Sequence, residues 1–177
     1  MKILLTGATG FIGSHIAEIL LSNGFELILT KRSQSSLFNC TSFLNKVIFI
    51  NTDNADWLIE VCNLTPSVII HAAWNGVLSK DRDTWRSQLS NIDLVTKLLF
   101  IAEKCHVTKF IGLGSQAEYG LYSGVISEKC PINPTTEYGC LKIATSQQIS
   151  SYCELNKINW YWLRIFSVFG ERESDSC

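Results

Sequence analysis

"TGATGFIGSHIAEIL", Thr6 to Leu20, is the stretch whose reading decides the fold. Gly7, Gly10 and Gly13 recur at every third position, directly after an apolar run at 2–6 and at the head of a helix-length stretch at 11–23. The first glycine permits a tight turn. The second lets backbone amides approach a pyrophosphate, and the third lets helix and strand pack closely. An anion held there rests on the positive end of the helix dipole. Glycines in such a turn can also serve geometry alone, but the strand and helix that a dinucleotide-binding turn requires flank this one on both sides.

Working outward, short apolar runs at 2–6, 26–30, 46–50, 67–71, 109–113 and 160–166 alternate with helical stretches at 11–23, 55–63, 84–105 and 136–156. Such runs suit strands buried on both faces. Their alternation with helices predicts an α/β, doubly wound parallel sheet of the Rossmann kind with right-handed crossovers. The length suits a single domain over residues 1–177. The polar segment 33–45 reads as a loop with at most a short helix. Two longer loops, 74–82 and 120–135, follow strand ends at the edge where open α/β sheets bind ligands.

Composition excludes other classes. Hydrophobic content of 46% with 18% charged residues is globular, and a net charge of −1 gives no electrostatic case for nucleic acid or anionic membrane. No apolar run is long enough to span a bilayer, and "MKILLTGATG" reads as a first strand rather than a signal sequence. Seven cysteines without a CxxC pair, and three scattered histidines, show no metal spacing. Reduced thiols and a cytoplasmic setting are expected.

The tip of the second strand bears on cofactor choice. "LILTKRSQS" places Lys31 and Arg32 where a carboxylate for the adenosine ribose would be expected. Two cations there suit a 2′-phosphate, so NADP(H) is favoured over NAD(H). The alternative is a pair of solvated charges at a strand end. Further along, "EYGCLK" sets Tyr138 and Lys142 one helical turn apart, and no other tyrosine of the chain has a lysine four residues later. Ser115 lies just past the strand-like run in "FIGLGSQAEYG". A serine there is commonly a turn former or cap; beside a tyrosine and a lysine it also suits proton transfer.

Taken in order, "TGATGFIG", Asp53, "IIHAAW", "NIDLVTKLLFIA", "GSQAEYG", "PINPTTEYGCLK" and "LRIFSVFG" resemble the extended short-chain dehydrogenase/reductases, in particular the NAD(P)-dependent nucleotide-sugar epimerase/dehydratase group. The resemblance covers nearly the whole chain. It implies that Gly7, Gly10, Phe11, Ile12 and Gly13 line the pyrophosphate, with Asp53 and Asn54 at the adenine. It further implies that His71, Ala72 and Ala73 border the cofactor and that Asn91 lines the site or a water path. Ser115 would hold the reacting oxygen and Tyr138 would be the acid/base. Lys142 would hold the nicotinamide ribose and lower the tyrosine pKa.

Four departures qualify this. Gln116 and Ala117 replace an acidic pair of the dehydratase branch, which disfavours water elimination. Trp74 stands where a small residue is usual and is a candidate to face substrate. Ser167 replaces an asparagine. The chain also stops at Cys177, before the C-terminal lobe that binds the sugar nucleotide in the family, so that lobe is expected to be largely absent. The reading is a nucleotide-sugar epimerase or reductase. The alternative is a non-catalytic dinucleotide-binding module. A homodimer through the two long helices is also expected from the resemblance.

Overall fold

Strands apolar on both faces must be covered by helices on both sides. The computed structural model describes residues 1–78 and 81–173; residues 79–80 of the expected loop 74–82, and 174–177 with Cys177, lie outside them. Among the described residues, six strands form one parallel sheet in the order β3-β2-β1-β4-β5-β6. They are β1 (Lys2–Thr6), β2 (Glu26–Lys31), β3 (Ile48–Asn51), β4 (Val68–His71), β5 (Lys109–Ser115) and β6 (Asn159–Ile165). The helices are α1 (Phe11–Ser22), α2 (Trp57–Asn63), α3 (Trp85–Lys104) and α4 (Glu137–Leu155). The strand order reverses between β1 and β4, which opens a crevice at the carboxyl ends of the strands.

Side chains alternate across each strand, so the sheet has two cores. Leu4, Ile28, Ile69 and Phe110 pack under α2, α3 and α4 with Val61, Leu98 and Ile149. Ile3, Leu5, Leu27, Leu29 and Ile70 face Ala17 of α1 together with Cys40 and Phe43. Two boundaries differ from the sequence reading. Segment 33–45 carries a 3-10 turn at Phe38–Cys40, and a second at Leu44–Lys46 uses residues that the hydrophobic pattern assigns to the third strand. That strand therefore begins at Ile48. β5 also runs on to Ser115, because its register with β6 continues through Gly114 and Ser115.

The glycine turn fixes how α1 meets the sheet. Gly7 adopts φ +77°, and a Cβ on it would lie 2.6 Å from the Ala73 nitrogen. A Cβ on Gly13 would overlap the Gly7 carbonyl, a backbone group that cannot swing aside. Replacing Gly13 with alanine should therefore cost about 3 kcal/mol, the upper end of overpacking penalties. Urea unfolding measures this, and a loss below about 1 kcal/mol would show that the helix can shift to make room.

Candidate active site

α1 begins at Gly10 with no side-chain cap on its first turn. The amides of Phe11 and Ile12 are therefore left to an anion, which a serine or aspartate cap would otherwise displace. The backbone of Ala72 and Ala73 lies against Gly7 and forms the wall between β1 and β4. This cradle, free of side chains where a pyrophosphate must approach, fits a dinucleotide.

At the β2 end, Arg32, Ser33, Gln34 and Asp53 line a groove of about 420 Å³. Asp53 accepts the Ser33 N–H at 2.7 Å, and this bond, with Arg32 and Lys31 nearby, holds its carboxyl below the usual range. The β2–β3 register pairs Lys31 with Asn51, which carries Asp53 to the tip of β2. The two cations therefore share this edge with a carboxylate. Asn54 sits in the same turn and its backbone carbonyl accepts the Trp57 N–H.

His71 borders the crevice through its backbone only. Its ring is 1% exposed, with Nδ1 2.9 Å from Thr6 Oγ1, which also accepts the Ala73 N–H. Burial, with a smaller effect from Lys142, pushes its pKa down to about 3, so the imidazole is neutral at any ordinary pH. Asn91 is buried, and its amide clamps the backbone of Asn75 from both sides, accepting the N–H at 2.8 Å and donating to the carbonyl at 3.1 Å. Its side chain thereby shapes the loop after β4.

The three expected proton-transfer residues meet at the carboxyl edge. Ser115 ends β5, and its Oγ caps a 3-10 turn at Gln116–Glu118 by accepting the Ala117 N–H at 3.1 Å. Thr136 caps α4 through the Gly139 N–H, which fixes Tyr138 in the first turn of that helix. Lys142, one turn on, is 4% exposed and donates to the Leu113 carbonyl at 2.7 Å. Trp74 closes the group. Its ring centre lies 3.7 Å from Lys142 Nζ and meets the Tyr138 ring edge-on at 5.9 Å. Gln88, fully buried, holds the Trp74 indole N–H at 2.9 Å.

The electrostatics depart from the expected pairing. Burial pushes Lys142 down to about 7, opposed by the nearby Glu118 carboxylate. Burial also raises the Tyr138 phenol above its ordinary value; the Ser115 hydroxyl and the Arg82 guanidinium pull the other way, and Glu118 adds to the rise. The groups that favour phenolate are therefore Ser115 and Arg82, whose guanidinium stands 5.4 Å from the Tyr138 ring centre. Lys142 is itself half neutral near pH 7 and contributes little to lowering the tyrosine.

Sequence reasoning missed three members of this group: Arg82, Gln88 and Glu118. The first two carry no local signal. Glu118 does, since Ser115-Gln116-Ala117-Glu118 is the spacing of a capping box. The acid is absent from positions 116 and 117 yet present at 118, turned into the core. Gln116 instead reaches Ser167 at 3.5 Å. Among the described residues no cluster of His, Cys, Asp or Glu could hold a metal ion, and no helix is long and apolar enough to cross a membrane.

A parallel sheet with this strand order, a glycine cradle at its centre, and serine, tyrosine and lysine at its carboxyl edge define a Rossmann-type domain of the short-chain dehydrogenase/reductase class. Residues 3–176 match the NAD dependent epimerase/dehydratase family, and the chain belongs to that family. It is 30% identical over 177 residues to a putative UDP-glucose 4-epimerase of Methanocaldococcus jannaschii, covering 97% of this chain and 57% of that protein. It is 24% identical to the dTDP-6-deoxy-L-talose 4-dehydrogenase (NAD(+)) of Aggregatibacter actinomycetemcomitans, with 97% and 63% covered. Among solved structures, it superposes with a TM-score of 0.84 and 29% identity on the UDP-glucuronic acid 4-epimerase of Bacillus cereus in complex with UDP-glucuronic acid and NAD, covering 98% of this chain and 59% of that one. The chain thus spans little more than half the length of the proteins it matches.

The buried lysine has a consequence for stability. Its folded value of about 7 lies below its ordinary 10.5, so between these values the unfolded chain binds more protons and folding is favoured by rising pH. The stability of the unmodified chain relative to Lys142→Met should therefore improve from pH 7 to 10, as read by urea unfolding at each pH. A pH-independent difference would show that the ammonium is not desolvated.

Proposed function

We propose that this chain is the dinucleotide-binding part of a nucleotide-sugar epimerase or reductase, with Tyr138 as acid/base. The observation that carries this reading is the convergence of Ser115, Tyr138 and Lys142 beside the glycine cradle. When bound, the nicotinamide accepts a hydride from a sugar carbinol carbon or returns one to a keto carbon. Tyr138 takes or gives the hydroxyl proton as that hydride moves. Ser115 orients the reacting oxygen by a hydrogen bond. Lys142 steadies the ribose hydroxyls and, with a value near neutrality, exchanges protons readily with its surroundings. Trp74 forms the apolar wall against which the sugar ring is placed.

The relatives include both a 4-epimerase and a 4-dehydrogenase, so either outcome of hydride transfer is compatible with this centre. Gln116 and Ala117 supply no acid for water elimination, which disfavours a dehydratase. Lys31 and Arg32 favour NADP(H) over NAD(H), although Asp53 shares their edge and opposes the added phosphate. The exposed Trp85, Leu89 and Phe100 on α3 support a homodimer through α3 and α4.

Incubation with NADPH or NADH and keto-sugar or UDP-sugar nucleotides tests the catalytic reading. Tyr138→Phe should lower turnover about a thousandfold while leaving dinucleotide affinity within a few-fold. Undiminished turnover in that variant would overturn the assignment, and tight dinucleotide binding without turnover by the unmodified chain would support the non-catalytic module. NADPH should bind more tightly than NADH, and a double Lys31→Ala, Arg32→Ala substitution should erase the difference. Equal binding by the unmodified chain overturns the 2′-phosphate preference.

A further inference from the structure

Glu118 is fully buried, yet every part of its carboxylate is engaged. Oε1 accepts the backbone N–H of Ser115 at 2.8 Å and the indole N–H of Trp162 at 2.9 Å. Oε2 accepts Arg164 Nε at 2.7 Å, and the same guanidinium reaches the Tyr119 hydroxyl at 3.2 Å. The strand opposite makes room for this. A Cβ at Gly114 would collide with both the Trp162 indole and Glu118 Oε1, so the glycine is what lets the indole lie flat over β5. Three elements, β5, β6 and the turn after β5, are therefore joined at one carboxylate lying directly behind Ser115.

We propose that Glu118 is a positioning residue for the candidate centre: its carboxylate fixes the turn that presents Ser115. This rests on the proposed role of Ser115, Tyr138 and Lys142, though its test does not need that role to be catalytic. One fact separates it from an ordinary structural ion pair: the carboxylate holds the amide of a site residue, so a change there moves Ser115 itself.

Two variants of the full chain test the proposal. Glu118→Gln keeps an acceptor for Ser115 and removes the charge, so the Ser115 amide should stay protected from hydrogen exchange. The double variant Glu118→Met, Arg164→Met removes acceptor and cation together and keeps the volume. Its Ser115 amide should exchange at least about tenfold faster, with Phe110 to Leu113 unchanged. An unmoved Ser115 amide in the double variant, or equal loss of protection in Glu118→Gln, overturns the proposal. Failure of both variants to fold would assign Glu118 a purely structural role and overturn it too. None of these readouts requires turnover or bound dinucleotide, so they stand apart from the test of Tyr138.

Discussion

One backbone contact sets the arrangement of the site: the first turn of α1 lies against the carbonyl of Gly7, where no side chain can intervene. That contact aims the amino end of α1 at the gap between β1 and β4, and the same turn rests on the backbone of Ala72 and Ala73. The strand order then carries β5 and α4 to the far side of the gap. A single steric condition in the first turn thus fixes both where an anion rests and how far the proton-transfer residues stand from it. Moving α1 outward by the width of a methyl group would uncouple the two.

Around that frame, burial rather than pairing governs the charges. His71 is driven neutral and Lys142 is brought near neutrality, each chiefly because water is excluded. The Glu118–Arg164 pair brings a buried carboxylate under three donors, the Ser115 and Trp162 N–H groups on one oxygen and Arg164 Nε on the other. A buried ion pair seldom adds much net stability over an apolar pair of the same size. Its retention behind Ser115 is better explained by what it orients. Trp74 acts in the same sense from the opposite side, excluding water from Lys142 while its own N–H is held by Gln88.

The glycine spacing, the alternation of strands and helices, and the Tyr138–Lys142 spacing are legible in the sequence because each depends on local order along the chain; Ser115 joins them through the family resemblance. The third strand is misplaced by two residues because the hydrophobic pattern does not distinguish a 3-10 turn from the start of a strand. Asn91 is read as lining the site or a water path only from the family resemblance; that its amide is bonded to Asn75 depends on how the loop after β4 folds back. Glu118 is the most instructive case. Its spacing from Ser115 announces a cap, but its charge suggests a solvated side chain, and only the room left by Gly114 turns it inward. Lys142 shows a similar limit, since a helical spacing from Tyr138 says nothing about how deeply the amine is buried.

The knot of Gly114, Glu118, Trp162 and Arg164 also constrains how this sequence can drift. Changing any one member strands the others: a side chain at 114 evicts the indole, a neutral residue at 118 leaves the guanidinium unpaired, and a small residue at 162 opens a void beside a buried charge. Single substitutions at these four positions should be strongly epistatic, each tolerated only on a background where its partners have already changed. Homologues are expected to divide into those that carry the whole set and those that fill the same space with apolar residues.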